Sequence, residues 1–354
     1  MAFKRTNTNK FKKALKDFTG KLVLVVSLLI FGVPAFAGKS KQKLSAAVCV
    51  LLAVTIFGCS GFTVNKYYII KASGENTQTS QPVASVTATT IPTGNQDVLS
   101  QLSPNQNKVN YPDGMLDKYK TIYALNRDVI GWIKVPNTSI DTLVTQGSDN
   151  YHYLYNNFYG EYTGAGNVFL DYRDKYNGLS QNTIIYGHSA AEKDQEFCDL
   201  NKYKNPGFFI KNPTIQFGTL FADYEWKIFA VFISSTVGSD DNGYFFYYIV
   251  PEIGNSKFNG YLNQVNQRSF YNTGVDVKYT DKILTLSTCS HDNDFSGHAV
   301  NSRLVVMARL LRKGESKEID AANVKNRPDF RRPQVWYNHF GLKNPYINSE
   351  RWFS

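Results

Sequence analysis

The chain has 354 residues, of which 42% are hydrophobic, 14% aromatic and 19% charged. That is enough apolar material for the core of one or two ordinary domains, and it excludes both global disorder and a disulfide-knotted miniprotein. The formal net charge of +10 sits at one end: residues 1–71 hold 12 Lys and Arg against Asp17 alone, a net of +11, while the 27 basic and 28 acidic residues of 72–354 nearly cancel. A neutral body behind a basic, apolar N-terminus is a membrane-anchoring pattern, and it lacks the phosphate-neutralising surface that nucleic-acid binding requires.

Two apolar runs open the chain, at residues 22–37 and 44–64. The second has the length of about 20 residues needed to cross roughly 30 Å of hydrocarbon. Seven basic residues precede the first run, and Lys39, Lys41 and Lys43 lie between the two; both clusters favour the cytoplasmic side. With both inside, the first run lies in the interface or re-enters, and residues 44–64 form an uncleaved anchor that delivers the rest of the chain outside. With both runs spanning, the rest stays inside. Pro34-Ala35-Phe36-Ala37 before Gly38 is also a small-residue cleavage pattern, and Ile56-Phe57-Gly58-Cys59 is lipobox-like except for Phe57. Hydropathy alone leaves these alternatives open.

Residues 72–110 are rich in Ser, Thr, Gln, Asn and Pro and contain no aromatic residue, so they bury too little apolar surface to offset their ordering entropy and read as a flexible linker. The globular part follows over 111–313, with a tail over 314–354. A helix is predicted over 115–126, where Leu116, Tyr119, Ile122, Tyr123 and Leu125 have near-helical spacing. Short β-branched and aromatic runs, separated by Gly, Asn, Pro or Asp, predict strands at 129–135, 140–145, 167–171, 183–186, 214–217, 224–234 and 244–250. A second helix is predicted over 256–267, with Ser256 as its cap and Phe258, Tyr261, Leu262 and Val265 on one face. Closing strands are predicted at 283–288 and 303–311. The pattern is that of a mainly β barrel or sandwich. The tail's aromatics, Trp336, Tyr337, Phe340, Tyr346, Trp352 and Phe353, are expected to pack on the barrel or to bind a partner.

Only four cysteines occur, two of them, Cys49 and Cys59, in the second apolar run. Their spacing supplies neither a disulfide framework nor a zinc motif. Cys289 ends an apolar strand just before the polar loop 290–301, the place where catalytic groups are commonly displayed. A thiol becomes a nucleophile beside a His or a cation. His188 ends the run Thr183-Ile184-Ile185-Tyr186-Gly187, and Arg303 begins the strand after the loop, so antiparallel pairing would bring its guanidinium alongside the thiol. That charged fork suits the oxyanion of an acyl intermediate. The plainer readings are a small buried thiol and a solvated strand-end arginine. His291 and His298 compete with His188 for the role of base. Cys198 reads as part of a helical turn, and His152 and His339 as surface or packing residues.

Thr285-Leu286-Ser287-Thr288-Cys289, with Arg303 fourteen positions on, resembles the T-L-x-T-C signature and downstream arginine of sortases, the Gram-positive cell-surface transpeptidases. The segment from Asn126 to Ile133, Gln146-Gly147-Ser148-Asp149-Asn150 with Tyr153-Leu154, and Asn182 to His188 are similar to class B sortase segments in the same order. The extra helix between two late strands is also a class B feature. This resemblance implies a closed eight-stranded β-barrel with flanking helices. It implies that Cys289 attacks the Thr carbonyl of a sorting signal in a secreted surface protein, and that an amine of the cell-wall peptidoglycan precursor resolves the thioacyl intermediate. His188 would be the general acid and base, Arg303 the holder of the oxyanion, and Ser287 and Thr288 substrate-binding candidates. No metal or organic cofactor is implied. The catalytic domain is expected outside the cell membrane, with residues 44–64 as the full crossing. A secreted cysteine peptidase and a non-catalytic peptide-binding barrel are the alternatives.

Overall fold

The computed structural model describes residues 109–189, 197–295 and 299–353. The two apolar runs and the linker up to residue 108 lie outside the described residues, as does His298. Among the described residues no helix is long and apolar enough to cross a membrane.

Eight strands close a barrel. In chain order they are β1 (Val129–Lys134), β2 (Asp141–Thr145), β3 (Phe169–Leu170), β4 (Asn182–Tyr186), β5 (Thr214–Thr219), β6 (Glu225–Ser235), β8 (Ile283–Ser290) and β9 (Ser302–Leu310), with β7 (Tyr271–Asn272) pairing outside the barrel with β10 (Lys325–Asn326). Around the barrel the order is β1-β2-β3-β4-β8-β9-β6-β5. Most neighbours are antiparallel; β2 with β3 and β4 with β8 are parallel.

The central strands carry apolar residues on both faces because both are covered. Leu284, Leu286, Leu304 and Val306 point into the barrel core with Ile133, Val144, Phe217 and Trp226. On the other face of the same strands, Ile283, Val305, Met307 and Phe232 lie beneath Phe258, Tyr261 and Val265 of the long helix. The helices are α1 (Lys120–Leu125), α2 (His152–Tyr155), α3 (Pro206–Lys211), α4 (Asn255–Arg268), which is that long helix, and α5 (Gln334–His339). Ten of the eleven residues of β6 are buried for the same reason.

Three predicted elements differ. The helix over 115–126 is a 3-10 turn, Asp117–Tyr119, followed by the short α1; it starts no earlier because the backbone at Leu116 is extended, with φ −65° and ψ 134°. Helix α4 begins without help from Ser256: its cap is Gly254 at φ 79°, with no side-chain bond. The run 244–250 forms no ladder, although its burial alternates as in a strand, with Tyr244, Phe246 and Tyr248 inward. Side chains replace the missing partner strand. Asn182 Nδ2 donates to the Tyr248 and Val250 carbonyls, Tyr261 OH to the Tyr248 carbonyl and Arg173 Nη2 to the Ile249 carbonyl. The tail does pack on the body: Trp352 is buried on α4, and its indole N–H donates to the Lys257 carbonyl at 2.8 Å.

Barrel closure depends on a glycine at position 131. Gly131 of β1 pairs with Thr219 and its neighbour Trp132 with Gly218 of β5, and a Cβ on Gly131 would stand 2.0 Å from the Gly218 carbonyl oxygen. No side chain can yield there, because the obstacle is backbone. Gly131→Ala is therefore expected to cost about 3 kcal/mol or more, the upper range for overpacking, measured as a lowered denaturation midpoint. A midpoint equal to that of the parent chain would show that the seam can open without penalty.

Candidate active site

Strand β8 is buried from Ile283 to Thr288, and Cys289 is its first half-exposed residue. Because side chains alternate, Thr285, Ser287 and Cys289 leave the barrel on the face opposite Leu284 and Leu286. The β8–β9 register sets Cys289 opposite Arg303 and Ser290 opposite Ser302, so thiol and guanidinium emerge from one face. Arg303 is half-buried, and its Nη1 donates to the Ser302 carbonyl at 3.1 Å.

His188 reaches this face from the other side of β8. Strand β4 runs parallel to β8 with Ile184 opposite Thr285 and Tyr186 opposite Ser287, and the pairing continues as Gly187 N–H to the Ser287 carbonyl and Thr288 Oγ1 to the Gly187 carbonyl, 2.7 Å. The same alternation carries His188 to the face of Cys289. Gly187 has to be glycine, since a Cβ would come within 2.6 Å of the Phe197 ring. That ring precedes the 3-10 turn Cys198–Lys204, and the Phe197 N–H closes onto the His188 carbonyl at 3.1 Å. The imidazole Nε2 lies 2.6 Å from the Leu154 carbonyl. A carbonyl only accepts, so Nε2 carries the hydrogen and Nδ1 is the nitrogen left for proton transfer.

The other described candidates have contacts of their own. The His291 side chain is 83% exposed, and its Nδ1 is 2.8 Å from Asp294. His339 stacks on Phe295 with ring centroids 4.1 Å apart. His152 meets Tyr153 edge-on. Cys198 lies in the 3-10 turn, with Ser189 Oγ 3.8 Å from its sulfur. Ser287 and Thr288 are both buried, and their hydroxyls are engaged inside the protein, Ser287 with Tyr248 OH at 2.9 Å and Thr288 with the Gly187 carbonyl.

Two supporting groups have no sequence signal. Tyr248 lies beneath the site, buried, with Cys289 and Arg303 within electrostatic reach; burial pushes its phenol up to about 12, so it stays a neutral hydrogen-bonding group. Asp171 gathers Tyr186 OH at 2.8 Å, Asn150 Nδ2 at 3.0 Å and the Arg173 guanidinium at 2.7 Å. Burial works against its charge, yet the Arg173 and Tyr186 bonds hold the carboxyl below the usual carboxylate range. Gln146 Nε2 donates to the Asp171 and Asp174 carbonyls, which gives the Gln146–Asn150 segment a structural task.

A thiol and a guanidinium paired across a β-barrel wall, with an imidazole at the end of the adjoining parallel strand, define a class of protein, the barrel cysteine enzymes of acyl transfer. The sortase domain family model matches residues 133–311. Sortase B of Listeria monocytogenes is 36% identical over 198 residues, 56% of this chain and 75% of that relative. Sortase B of Staphylococcus aureus is 30% identical over 196 residues, 55% and 75% of the two chains. A solved Staphylococcus aureus sortase B–substrate complex is 28% identical, with a TM-score of 0.49 and coverage of 57% of this chain and 88% of that one. The chain belongs to the sortase family, class B, and is a cysteine transpeptidase.

One buried carboxyl near the site has a marked pH signature. Burial, with the like charge of Asp171 adding to it, pushes Asp174 up to about 7 from the ordinary 3.8, although its Oδ2 accepts the Ile184 N–H at 2.8 Å. A carboxyl with a raised pKa holds its proton more tightly when folded. Its contribution to stability is therefore fully present below about pH 4 and is lost as pH rises through about 7. Urea midpoints are expected to fall between these values, and Asp174→Asn, which stays neutral, is expected to flatten the fall. An identical slope in the variant would contradict the assignment.

Proposed function

We propose that Cys289 is the nucleophile, His188 the general acid and base, and Arg303 the group that holds the substrate carbonyl and its oxyanion. The Cys289 thiolate adds to the Thr carbonyl carbon of the sorting signal. The C–N bond then breaks as His188 passes a proton to the leaving amine, giving a thioester. An amine of the cell-wall precursor attacks that thioester and gives a proton to His188, and Cys289 leaves as the thiolate. Arg303 faces the oxygen that becomes negative in both steps. The observation that carries this reading is the register that sets Cys289 opposite Arg303, with His188 approaching from the parallel strand.

Incubation with a sorting-signal peptide and mass spectrometry of the trapped adduct tests the assignment. The acyl group is expected on Cys289 and to be absent from Cys289→Ala, while Cys198→Ala behaves as the parent. Arg303→Lys keeps a charge but not the fork, and is expected to lose two to three orders of magnitude in turnover, about 3–4 kcal/mol. Full turnover in Arg303→Lys would make Arg303 a solvated strand-end charge.

The family's cell-surface setting, the charge bias around the N-terminal runs and the composition of the linker support a further assignment. Residues 44–64 form the full membrane crossing, with Lys39, Lys41 and Lys43 inside; residues 72–110 are an exposed linker, 111–313 the catalytic domain outside the cell, and 314–354 its tail. Protease added to intact, wall-stripped cells is expected to release a fragment that begins within 72–110. A domain protected until the membrane is broken would place it inside.

A further inference from the structure

The sortase match ends at residue 311, but the chain continues and returns to the site. Arg332 Nη1 donates to Asn293 Oδ1 at 3.1 Å. Asn293 is almost fully buried, and its Nδ2 donates to Ser302 Oγ at 3.3 Å. Ser302 is buried too, and pairs in the ladder with Ser290. Ser290 directly follows Cys289, and Ser302 directly precedes Arg303. One polar chain thus runs from the tail to the residue pair that flanks both proposed catalytic groups.

The tail end of that chain is rigid. The Arg332 guanidinium lies between the Phe330 ring, 4.2 Å from its centroid, and the Trp336 ring at 4.4 Å. Its neighbour Arg331 is buried and donates to Asp241 Oδ2 at 2.9 Å, and the Gln334 N–H donates to the other oxygen of the same carboxylate. A second contact lies further along the loop, where His339 of α5 stacks on Phe295 at 4.1 Å with an interplanar angle of 18°. The tail therefore grips the stretch after Cys289 at Asn293 and at Phe295, one grip polar and one aromatic.

We propose that this C-terminal segment is a positioning element of the active site, with Arg332 as the positioning residue that acts through Asn293 on the Ser290–Ser302 pair. The inference rests on the assignment of Cys289 and Arg303 above. A buried carboxamide that loses its donor leaves an oxygen unpaired, and Asn293 would then turn or draw water in, releasing Ser302 and the strand ends. Attack and oxyanion binding need the thiol and the guanidinium fixed to a fraction of an ångström, and a displacement of about 1 Å costs on the order of a hundredfold in rate. Arg332 is engaged with Asn293, Phe330 and Trp336 and acts on the catalytic pair through Asn293, so the effect is expected on kcat rather than on KM.

The test compares the full-length parent with Arg332→Ala, Asn293→Ala and the double variant. Turnover of a sorting peptide with an amine acceptor is followed over a range of peptide concentrations, the Cys289 adduct is identified by mass spectrometry, and folding is checked by thermal unfolding. Each folded single variant is expected to lose about tenfold or more in kcat with KM within about threefold of the parent, and the double variant to be no slower than the worse single, because both break the same chain. A folded Arg332→Ala with kcat within about twofold of the parent overturns the proposal. Losses that multiply in the double variant also overturn it. If Arg332→Ala does not fold, Asn293→Ala, which leaves the tail intact, decides on the same criterion. Absence of an adduct on Cys289 in the parent would instead bring down the catalytic assignment, so the two failures are distinguishable.

Discussion

Eight consecutive residue pairs join β8 to β9, from Ile283–Arg309 to Ser290–Ser302. Alternation along the strands makes this register all-or-none: a slip of one residue would turn Leu284, Leu286, Leu304 and Val306 away from the barrel core and send Cys289 into it. That slip is forbidden because it would carry Thr285 and Ser287 into the apolar core, away from the Asn182 and Tyr248 groups that satisfy them. The placement of the thiol against Arg303 is therefore enforced by the packing of residues that take no part in chemistry. Parallel pairing with β4 adds the imidazole at the same level of the wall.

Such a wall has to handle polar atoms in an apolar setting. Asn182, Thr285, Ser287 and Thr288 are all buried on β4 and β8, and each has a partner: Thr285 Oγ1 donates to Asn182 Oδ1 at 2.6 Å, Asn182 supports the Tyr248 and Val250 carbonyls, and Ser287 bonds Tyr248 OH. Leaving any of them unpaired would cost about 1–3 kcal/mol. The irregular stretch around Tyr248 thus serves as a plate of hydrogen-bond partners, which a regular strand, with its carbonyls committed to a ladder, would not be.

Much of this was readable from residue patterns. The apolar runs around Ile184, Leu286 and Val306 marked central strands, because burial on both faces leaves an unbroken signature. The short hairpin from Cys289 to Arg303 made their pairing a local inference. The run 244–250 misled for a definite reason: alternation reports which side chains are buried, not whether the backbone finds a strand beside it. Ser256 was a reasonable cap by residue type, yet the chain enters α4 through the left-handed Gly254. Tyr248 under Ser287, Asp171 under Tyr186 and Arg332 on Asn293 could not have been foreseen, since each joins residues far apart in sequence without a periodic mark.

The parallel pairing of β4 with β8 also bears on when the proposed site is assembled. Thr288 and the Gly187 carbonyl it meets are 101 residues apart, and everything between them, β5, β6 and α4 included, has to be folded or looped out before they touch. Contacts of such long range form late and slowly, because chain closure is unfavourable until many of them form together. The thiol end of β8 can pair locally with Arg303 early, but it acquires its imidazole only with the closed barrel. On the proposed assignment, Cys289 therefore meets its general base only once the barrel has closed, so completion of the fold precedes the onset of acyl chemistry.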